Sequence, residues 1–311
     1  MPPMKVLVTP RSVTRDGHPA LDLLRGAGME VVLGPAGRQP TADELRSLLK
    51  GCAGYLAGVE PITAEILAAA PDLRAISRNG TGVDNVDLAA AEKHGISVLR
   101  AEGANARGVA ELTLGLILAL ARRIPTADTA LKRGGWERGA AGGEIEGKTL
   151  GLIGCGQVGR LVARLALGCD MRVMAFDPCP APDFQPGPAF RCAALSEVLG
   201  AADFLSLHCP LSPDGRPILD ATALSGLKNG AFLINTARHD LCDPDAVLSA
   251  LETGRLAGLA VDVFDEEPPA DSRIARHPRV VATPHLGGFT RESIDRAMTV
   301  AARNLLTALV R

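Results

Sequence analysis

A glycine-rich turn is the feature that most constrains the fold of this chain. Residues 148–177 contain a short apolar strand, the pattern G-x-G-x-x-G, a run with helical periodicity and a second strand that ends at Asp177. Gly154 permits a tight turn, Gly156 lets a pyrophosphate approach the backbone, and Gly159 lets the helix pack closely on the strand. The free N–H groups at the start of that helix favour phosphate oxygens. This context predicts a dinucleotide-binding βαβ unit rather than an incidental glycine turn.

Asp177 indicates which dinucleotide is bound. A carboxylate at the end of the second strand accepts hydrogen bonds from the ribose hydroxyls of adenosine and repels a 2′-phosphate. Pro178 and Cys179 follow it, so no Arg or Lys stands beside it to receive such a phosphate. The sequence therefore predicts NAD as the cofactor rather than NADP.

Short apolar strands alternate with helical patterns along almost the whole chain. This alternation is typical of βαβ units and parallel sheets. A long apolar helix is predicted over residues 106–123, a loop rich in Gly and charge follows over 132–147, and a new βαβ series starts at residue 149. The fold class predicted is α/β, with two flavodoxin- or Rossmann-like doubly wound parallel-sheet domains.

Composition excludes several classes of protein. Hydrophobic residues make up 47% of the chain, which excludes disorder, and the net charge of −2 without a basic stretch predicts no nucleic-acid or membrane partner. The N-terminus lacks the apolar region of a signal peptide, and the longest apolar run, 112–121, is too short to cross a bilayer. We therefore expect a soluble, cytoplasmic protein. The seven cysteines and six histidines show no metal-ligand spacing, so no metal is predicted.

Three polar side chains follow the apolar strands of the second half. Arg238, Glu267 and His285 each lie just beyond a strand end. Taken singly, they read as a surface arginine, a solvated acid and a polar residue after a strand. In a parallel sheet, however, all carboxyl ends meet at one edge, where ligands bind. We therefore expect the three side chains near the nicotinamide of a bound dinucleotide.

The three residue types suit one reaction. A histidine can carry the proton that moves to or from a hydroxyl oxygen. A carboxylate against its other nitrogen, here Glu267, would hold one tautomer and favour the imidazolium. Arg238 can grip a substrate carboxylate with two hydrogen bonds. The residues therefore predict hydride and proton exchange between a 2-hydroxy acid and a 2-oxo acid.

Six segments carry a family resemblance, in order along nearly the whole chain: RNGTGVDNVDL (78–88), GANARGVAEL (103–112), GKTLGLIGCGQVGR (147–160), NTAR (235–238), VDVFDEEP (261–268) and TPHLGG (283–288). The chain resembles the D-isomer-specific 2-hydroxyacid dehydrogenases, and most of all the 3-phosphoglycerate dehydrogenase branch. The resemblance implies a substrate domain of residues 1–99 plus 288–311, an NAD domain of residues 100–287 and an active site in the cleft between them. It also implies a homodimer joined through the NAD domain, with the segment around Trp136 in the interface.

The resemblance also implies roles for individual residues. Arg238, Glu267 and His285 match the catalytic triad, and Asp262 matches the acid that holds the nicotinamide carboxamide. The substrate-binding residues expected are Arg78, Thr81, Gly82, Asn105, Arg238 and His285. The cofactor-binding residues expected are Gly154, Gly156, Gln157, Val158, Gly159, Asp177, Cys209, Pro210, Thr236, Ala237, Arg238, Asp262, His285 and Gly287.

Three departures from the family pattern affect the choice of substrate. His239 follows the catalytic arginine where the family usually has glycine. The loop after the third strand carries Glu60 in place of a phosphate-binding arginine, which leaves Arg78 as the nearby base, and the chain ends at Arg311 without room for regulatory domains. We therefore expect a reductase of glyoxylate or hydroxypyruvate, with D-3-phosphoglycerate dehydrogenase as the alternative.

Two readings of another class remain open. A non-catalytic NAD-sensing regulatory protein could keep the triad, and it would bind NAD without reducing any 2-oxo acid. A methyltransferase could use the glycine turn for S-adenosylmethionine, but it would leave Arg238, Glu267 and His285 unexplained. Cofactor binding distinguishes the methyltransferase from the other two readings.

Overall fold

The computed structural model describes residues 3–212, 214–270 and 272–310. The chain divides into two compact units. The first comprises the residues up to Asn105 together with those from Gly288 onward, and the second comprises Ala106–Gly287. No helix within the described ranges combines the length and apolar character needed to cross a membrane.

The elements of the first unit alternate between strand and helix. In chain order they are β1 (Lys5–Val8), α1 (Arg11–Asp16), α2 (Leu21–Gly26), β2 (Glu30–Leu33), α3 (Ala42–Leu48), β3 (Cys52–Ala57), α4 (Ala64–Ala68), β4 (Ala75–Arg78), α5 (Leu88–Lys93) and β5 (Ser97–Arg100).

The second unit follows without a break in the chain. Its elements are α6 (Ala106–Arg122), α7 (Ile124–Lys132), β6 (Thr149–Ile153), α8 (Gln157–Leu167), β7 (Arg172–Phe176), β8 (Phe190–Cys192), α9 (Leu195–Ala201), β9 (Phe204–Leu207), α10 (Ala221–Ser225), β10 (Ala231–Asn235), a 3₁₀-helix (His239–Leu241), α11 (Pro244–Glu252), β11 (Leu256–Val261), α12 (Arg273–Arg276) and β12 (Val280–Ala282). The last helix, α13 (Arg291–Leu309), belongs to the first unit.

The sheet of the first unit has five parallel strands in the order β2-β1-β3-β4-β5, which is the flavodoxin-like order. Its central side chains, such as Leu7, Tyr55 and Ile76, are fully buried. Helix α13 packs on β3, β4 and β5. Gly54 makes this approach possible, because a Cβ there would lie 2.7 Å from Cδ1 of Leu309.

The sheet of the second unit has seven parallel strands in the order β12-β11-β10-β9-β6-β7-β8. The direction of winding reverses between β6 and β9, and ligands bind outside such a switch point in open α/β sheets. Helices α6 and α8 pack together over one apolar cluster, and α9, α10 and α11 contribute to a second cluster. The two sheets confirm the predicted α/β class with doubly wound parallel sheets.

The strand sequences explain why these sheets are parallel and covered on both faces. All five residues of β6 and all four of β9 are buried, and apart from Thr149 and Ser206 both strands lack polar side chains and show no alternation. Strands buried on both faces have this composition, because side chains that point to either side meet a layer of helices.

Local details differ from the sequence-based expectations. The predicted helix over residues 106–123 ends at Arg122, and α7 starts after Arg123, whose φ is 54°. A left-handed residue interrupts a right-handed helix, and Pro125 then suits the first turn of the next one. Helix α1 and strand β8 were not predicted. Both are short, and only one residue of β8 is buried, so neither has a clear periodic pattern.

Candidate active site

The glycine turn after β6 is built by close backbone packing. Gly154 has φ 95°, and a Cβ there would lie 2.5 Å from the carbonyl carbon of His208. A Cβ on Gly159 would lie 2.2 Å from the carbonyl oxygen of Gly154. A Cβ on Gly156, in contrast, would meet no atom within 4 Å. Packing therefore requires Gly154 and Gly159, whereas Gly156 faces open space that a pyrophosphate can approach.

The N-terminus of α8 fits an anionic ligand. Gly156 is the N-cap and contributes no side-chain hydrogen bond, and the first turn, which starts with Gln157 and Val158, contains no acid. The orphan N–H groups and the helix dipole at such an end attract phosphate. These features match the phosphates of a dinucleotide.

Asp177 lies directly after β7 at the mouth of the glycine turn. Its Oδ2 accepts the backbone N–H of Cys155 at 2.7 Å, and its Oδ1 accepts that of Cys179 at 2.8 Å. Both oxygens keep lone pairs for further donors. The carboxylate is therefore held in place beside the turn, where an adenosine ribose is expected.

His208 follows β9 and places a neutral imidazole at the edge of the sheet where the glycine turn also lies. His208 Nε2 lies 2.9 Å from Oγ of Ser206, a fully buried residue. Burial lowers the pKa of His208 to about 3, so its ring is uncharged at neutral pH. Burial also raises the thiol pKa of the next residue, Cys209, whereas Pro210 is exposed.

The turn after β10 is held by the side chain of Asn235. Its Oδ1 accepts the N–H of Ala237 at 3.1 Å, and its Nδ2 donates to the carbonyl oxygen of Arg238 at 2.8 Å. The hydroxyl of Thr236 lies 3.1 Å from that of Thr113 on α6. Arg238 itself has extended backbone, and its Nη1 donates to the carbonyl oxygen of Ala237 at 2.7 Å. Asn235 thus shapes the segment that presents Arg238, a role the sequence analysis did not assign.

His285 and Glu267 form the expected pair. Nδ1 of His285 lies 2.9 and 2.8 Å from the two carboxylate oxygens of Glu267. The backbone N–H of Phe264 donates to Oε1 of Glu267 at 3.2 Å. The His285 side chain is 53% exposed. The pair presents a partly exposed imidazole that is fixed at one nitrogen.

Asp262 is buried beneath this pair, with 1% of its surface exposed. Its Oδ1 accepts the hydroxyl of Thr283 at 2.6 Å and the N–H of Leu286 at 2.7 Å. Its Oδ2 accepts the N–H of Gly287 at 2.8 Å. Thr283 was not predicted as a partner of Asp262, although a hydroxyl residue at a strand end is a usable signal.

In the first unit, the expected substrate residues lie at the end of β4, in the loop that follows it and just before α6. Arg78 is 7% exposed, and its guanidinium donates to the carbonyl oxygens of Gly82 at 3.0 Å, Ala57 at 3.4 Å and Gly58. The hydroxyl of Thr81 donates to Oδ1 of Asn105 at 3.1 Å. Arg78 thus binds backbone of the loops that follow β3 and β4.

The Glu60 side chain is buried rather than exposed at the surface of its loop. It is 1% exposed, and its Oε1 accepts the N–H of Gly58 at 2.9 Å as well as the hydroxyls of Thr9 and Tyr55. Burial raises the pKa of the Tyr55 phenol well above its usual value, and the nearby carboxylate adds to this shift. The acid therefore organises the loop after β3 from within.

His239 starts the 3₁₀-helix that follows the Arg238 turn. Its Nδ1 lies 3.1 Å from Oδ1 of Asp240. It borders a cavity of about 30 Å³ that Asn235, Cys242 and Phe264 also line. Burial raises the pKa of the Cys242 thiol to about 12, so this cavity is lined by an uncharged thiol.

Comparisons with known proteins agree with this geometry. Residues 114–287 match the model of the family described as "D-isomer specific 2-hydroxyacid dehydrogenase, NAD binding domain". The chain is 38% identical over 277 residues to the D-3-phosphoglycerate dehydrogenase of Sus scrofa, an alignment that covers 88% of this chain and 51% of that protein. The chain thus spans about half the length of this relative.

Two solved structures are similar over nearly their whole length. The TT0316 protein from Thermus thermophilus has a TM-score of 0.87 and 37% identity, with 99% of this chain and 97% of that chain covered. A glyoxylate reductase from Paecilomyes thermophila has a TM-score of 0.86 and 26% identity, with 99% and 96% covered.

The packing of the glycine turn predicts different effects for two substitutions, one on stability and the other on NADH binding. Gly159→Ala should lower the free energy of unfolding by about 2 kcal/mol or more, because the new methyl group overlaps a backbone oxygen. Gly156→Ala should leave that free energy nearly unchanged and weaken NADH binding at least tenfold, because its methyl group occupies the open space. Urea unfolding and NADH fluorescence titration measure the two quantities. Equal behaviour of the two variants would contradict this account of the turn.

The low pKa of His208 predicts a pH-dependent stability. Its folded pKa of about 3 lies below the unfolded value of 6.5, so the unfolded chain binds the proton between these values and stability falls as pH drops below 6.5. The slope is at most about 1.4 kcal/mol per pH unit. His208→Gln should therefore reduce the stability loss between pH 7 and pH 5 by about 2 kcal/mol. Urea unfolding at both pH values tests this, with exposed His94→Gln as the control that should change nothing.

Proposed function

The chain belongs to the D-isomer specific 2-hydroxyacid dehydrogenase family, and we propose that it is an NAD-dependent oxidoreductase that interconverts a D-2-hydroxy acid and the corresponding 2-oxo acid. The observation that carries the proposal is the contact between His285 and Glu267 at the sheet edge where the glycine turn also opens. In this proposal the second unit binds NAD and the first unit binds the substrate.

The chain's own residues supply the acid–base part of the reaction. NADH, when bound, supplies the hydride that reduces the carbonyl carbon of the 2-oxo acid. Glu267 accepts the hydrogen on Nδ1 of His285 and so fixes the ring, which leaves Nε2 to give its proton to the carbonyl oxygen. In the reverse direction Nε2 takes the hydroxyl proton, and the carboxylate stabilises the imidazolium that forms.

Arg238 would orient the substrate. It lies one strand away from Glu267, because β10 and β11 are neighbours, and β11 in turn neighbours the strand that leads to His285. A guanidinium binds a carboxylate with two parallel hydrogen bonds, which fixes the plane of the 2-oxo acid.

For the substrate, we propose a small acid without a phosphate, such as glyoxylate or hydroxypyruvate. Arg78 directs its guanidinium at three backbone carbonyls, and Glu60 is buried in the same cluster of loops. A phosphate dianion needs cationic donors that face the ligand. D-3-phosphoglycerate is the second candidate, because the relative in Sus scrofa carries that activity in its name.

The first experiment follows NADH absorbance with purified protein and glyoxylate, hydroxypyruvate or 3-phosphohydroxypyruvate as acceptor. We expect turnover with the unphosphorylated acids and a preference for NADH over NADPH, because Asp177 repels a 2′-phosphate. Binding of NADH without turnover on any 2-oxo acid would instead favour the NAD-sensing reading.

Substitution of the proposed acid tests the mechanism. His285→Ala should lower kcat by about 10²- to 10⁴-fold, the usual contribution of general acid–base catalysis, with NADH binding nearly intact. His94→Ala changes an exposed histidine and should leave kcat as in the wild type. Full activity of His285→Ala would rule out the proton-transfer role.

We also propose that the chain forms a homodimer through the second unit. None of the nine residues of α7 is buried in the described single chain. Ile124, Leu131 and Trp136, on α7 and just after it, expose 54%, 58% and 77% of their surface. Large exposed apolar side chains in one stretch of chain favour an interaction surface. A second copy of the chain is the occupant that closed two-fold symmetry favours.

Sedimentation equilibrium tests the dimer. We expect a mass near twice 32.3 kDa, and Trp136→Glu should shift the equilibrium toward the monomer by burying a charge in the interface. Val310→Glu places the same charge on an exposed apolar residue of the first unit and should leave the mass unchanged. A wild-type mass near 32.3 kDa would contradict the proposal.

A further inference from the structure

His285 occupies a backbone conformation that its environment must enforce. Its φ is 53°, in the left-handed region, and it is one of three residues other than glycine with positive φ in the described ranges. For an L-residue this region costs about 1–2 kcal/mol relative to the right-handed region. Such a conformation persists only where surrounding contacts determine it.

The contacts that determine it converge on the carboxylate of Asp262. One oxygen accepts the hydroxyl of Thr283, two residues before His285, and the N–H of Leu286, the residue after it. The other oxygen accepts the N–H of Gly287. These bonds hold the loop on both sides of His285, and they use three of the roughly four acceptor positions of a carboxylate.

Gly287 is shaped to this arrangement. A Cβ there would lie 3.1 Å from Oδ2 of Asp262 and 3.1 Å from Cγ2 of Val109 on α6. The loop thus lies close between the buried acid and the helix, which leaves it little freedom to shift.

The backbone of Asp262 extends the network to the other catalytic turn. Its N–H donates to the carbonyl oxygen of Asn235 at 3.0 Å. The side chain of Asn235 in turn holds the N–H of Ala237 and the carbonyl oxygen of Arg238. Two buried residues at the ends of adjacent strands therefore brace the segments that carry the arginine and the histidine.

We propose that Asp262 is a positioning residue for His285, which acts by holding the loop of residues 283–287. This inference rests on the proposed function for the role of His285 in proton transfer. It is additional to the role that the family resemblance implies, a direct contact with the nicotinamide carboxamide, for which one acceptor position of the carboxylate is left. The positioning role is visible without cofactor, because a contact with the carboxamide cannot affect His285 when no NADH is bound.

Asp262→Asn in the full chain tests the positioning role. The amide presents a donor to backbone N–H groups that need an acceptor, so the loop should lose its conformation. We expect kcat at saturating NADH and 2-oxo acid to fall about a hundredfold, as misplacement of a catalytic group by about 1 Å can cause. The NADH dissociation constant should stay within about threefold of the wild-type value. Asp265→Asn, the same change on an exposed side chain of the neighbouring segment, should alter neither quantity.

Thr283 provides a second pair of variants that spares the acid itself. Thr283→Val removes the hydroxyl that Asp262 accepts and should lower kcat about tenfold, whereas Thr283→Ser keeps the hydroxyl and should retain wild-type kcat. This pair carries the test if Asp262→Asn does not fold.

A readout without cofactor or substrate distinguishes failure of this inference from failure of the proposed function. In ¹³C-histidine-labelled protein, the ring signal of His285 should move in Asp262→Asn and Thr283→Val and stay in place in Asp265→Asn. The signal is assigned by its loss in His285→Ala. It reports the loop even if the wild type reduces none of the acids offered.

Two results would overturn the proposal. One is kcat within twofold of wild type in Asp262→Asn while the NADH dissociation constant rises tenfold, which assigns the acid to the carboxamide. The other is an unmoved His285 signal in both Asp262→Asn and Thr283→Val, which shows that the loop does not depend on these bonds.

Discussion

The parallel register of the seven-stranded sheet is the constraint on which the candidate site depends. Because all seven strands run in the same direction, the turns after β6, β9, β10, β11 and β12 open at one edge. The glycine turn, the Arg238 segment, the loop that carries Glu267 and the His285 loop come from separate parts of the sequence and share that edge. No single pair contact would gather four segments in this way. Reversal of one strand would remove its segment from the site.

Polar side chains at the strand ends then convert this edge into a defined site. Asp177, Asn235 and Asp262 each satisfy backbone N–H groups of the turns they join. A buried N–H without a partner costs about 1–3 kcal/mol, so these turns are held strongly in the conformations that make the bonds. Glu267 and His285, which are proposed to act in the reaction, are exposed, whereas Asn235 and Asp262 are buried. The candidate site therefore separates the residues proposed to react from those that hold the turns in place.

In the first unit, charged side chains at the strand ends bind their own loops. Its flavodoxin-like sheet also collects strand ends at one edge, and Thr9, Gly58 and Arg78 meet there. Yet the charged side chains in this cluster, Arg78 and Glu60, bind backbone and hydroxyl groups of their own loops. The charge of a residue indicates the chemistry that it can perform. The orientation of its side chain depends on the neighbouring groups that the fold places around it.

The sequence by itself determined the α/β class, the dinucleotide turn and the residues Arg238, Glu267 and His285 as candidates. These features rest on local rules: apolar runs for buried strands, glycine where backbone must approach closely, and polar residues at strand ends. Only the tertiary structure decided that Glu60 is buried, that Arg123 separates α6 from α7, and that Asn235, Asp262 and Thr283 brace the turns that carry Arg238 and His285. The physical reason is that burial and hydrogen-bond partners are set by contacts between segments distant in sequence, and no local pattern records which segment a side chain will meet.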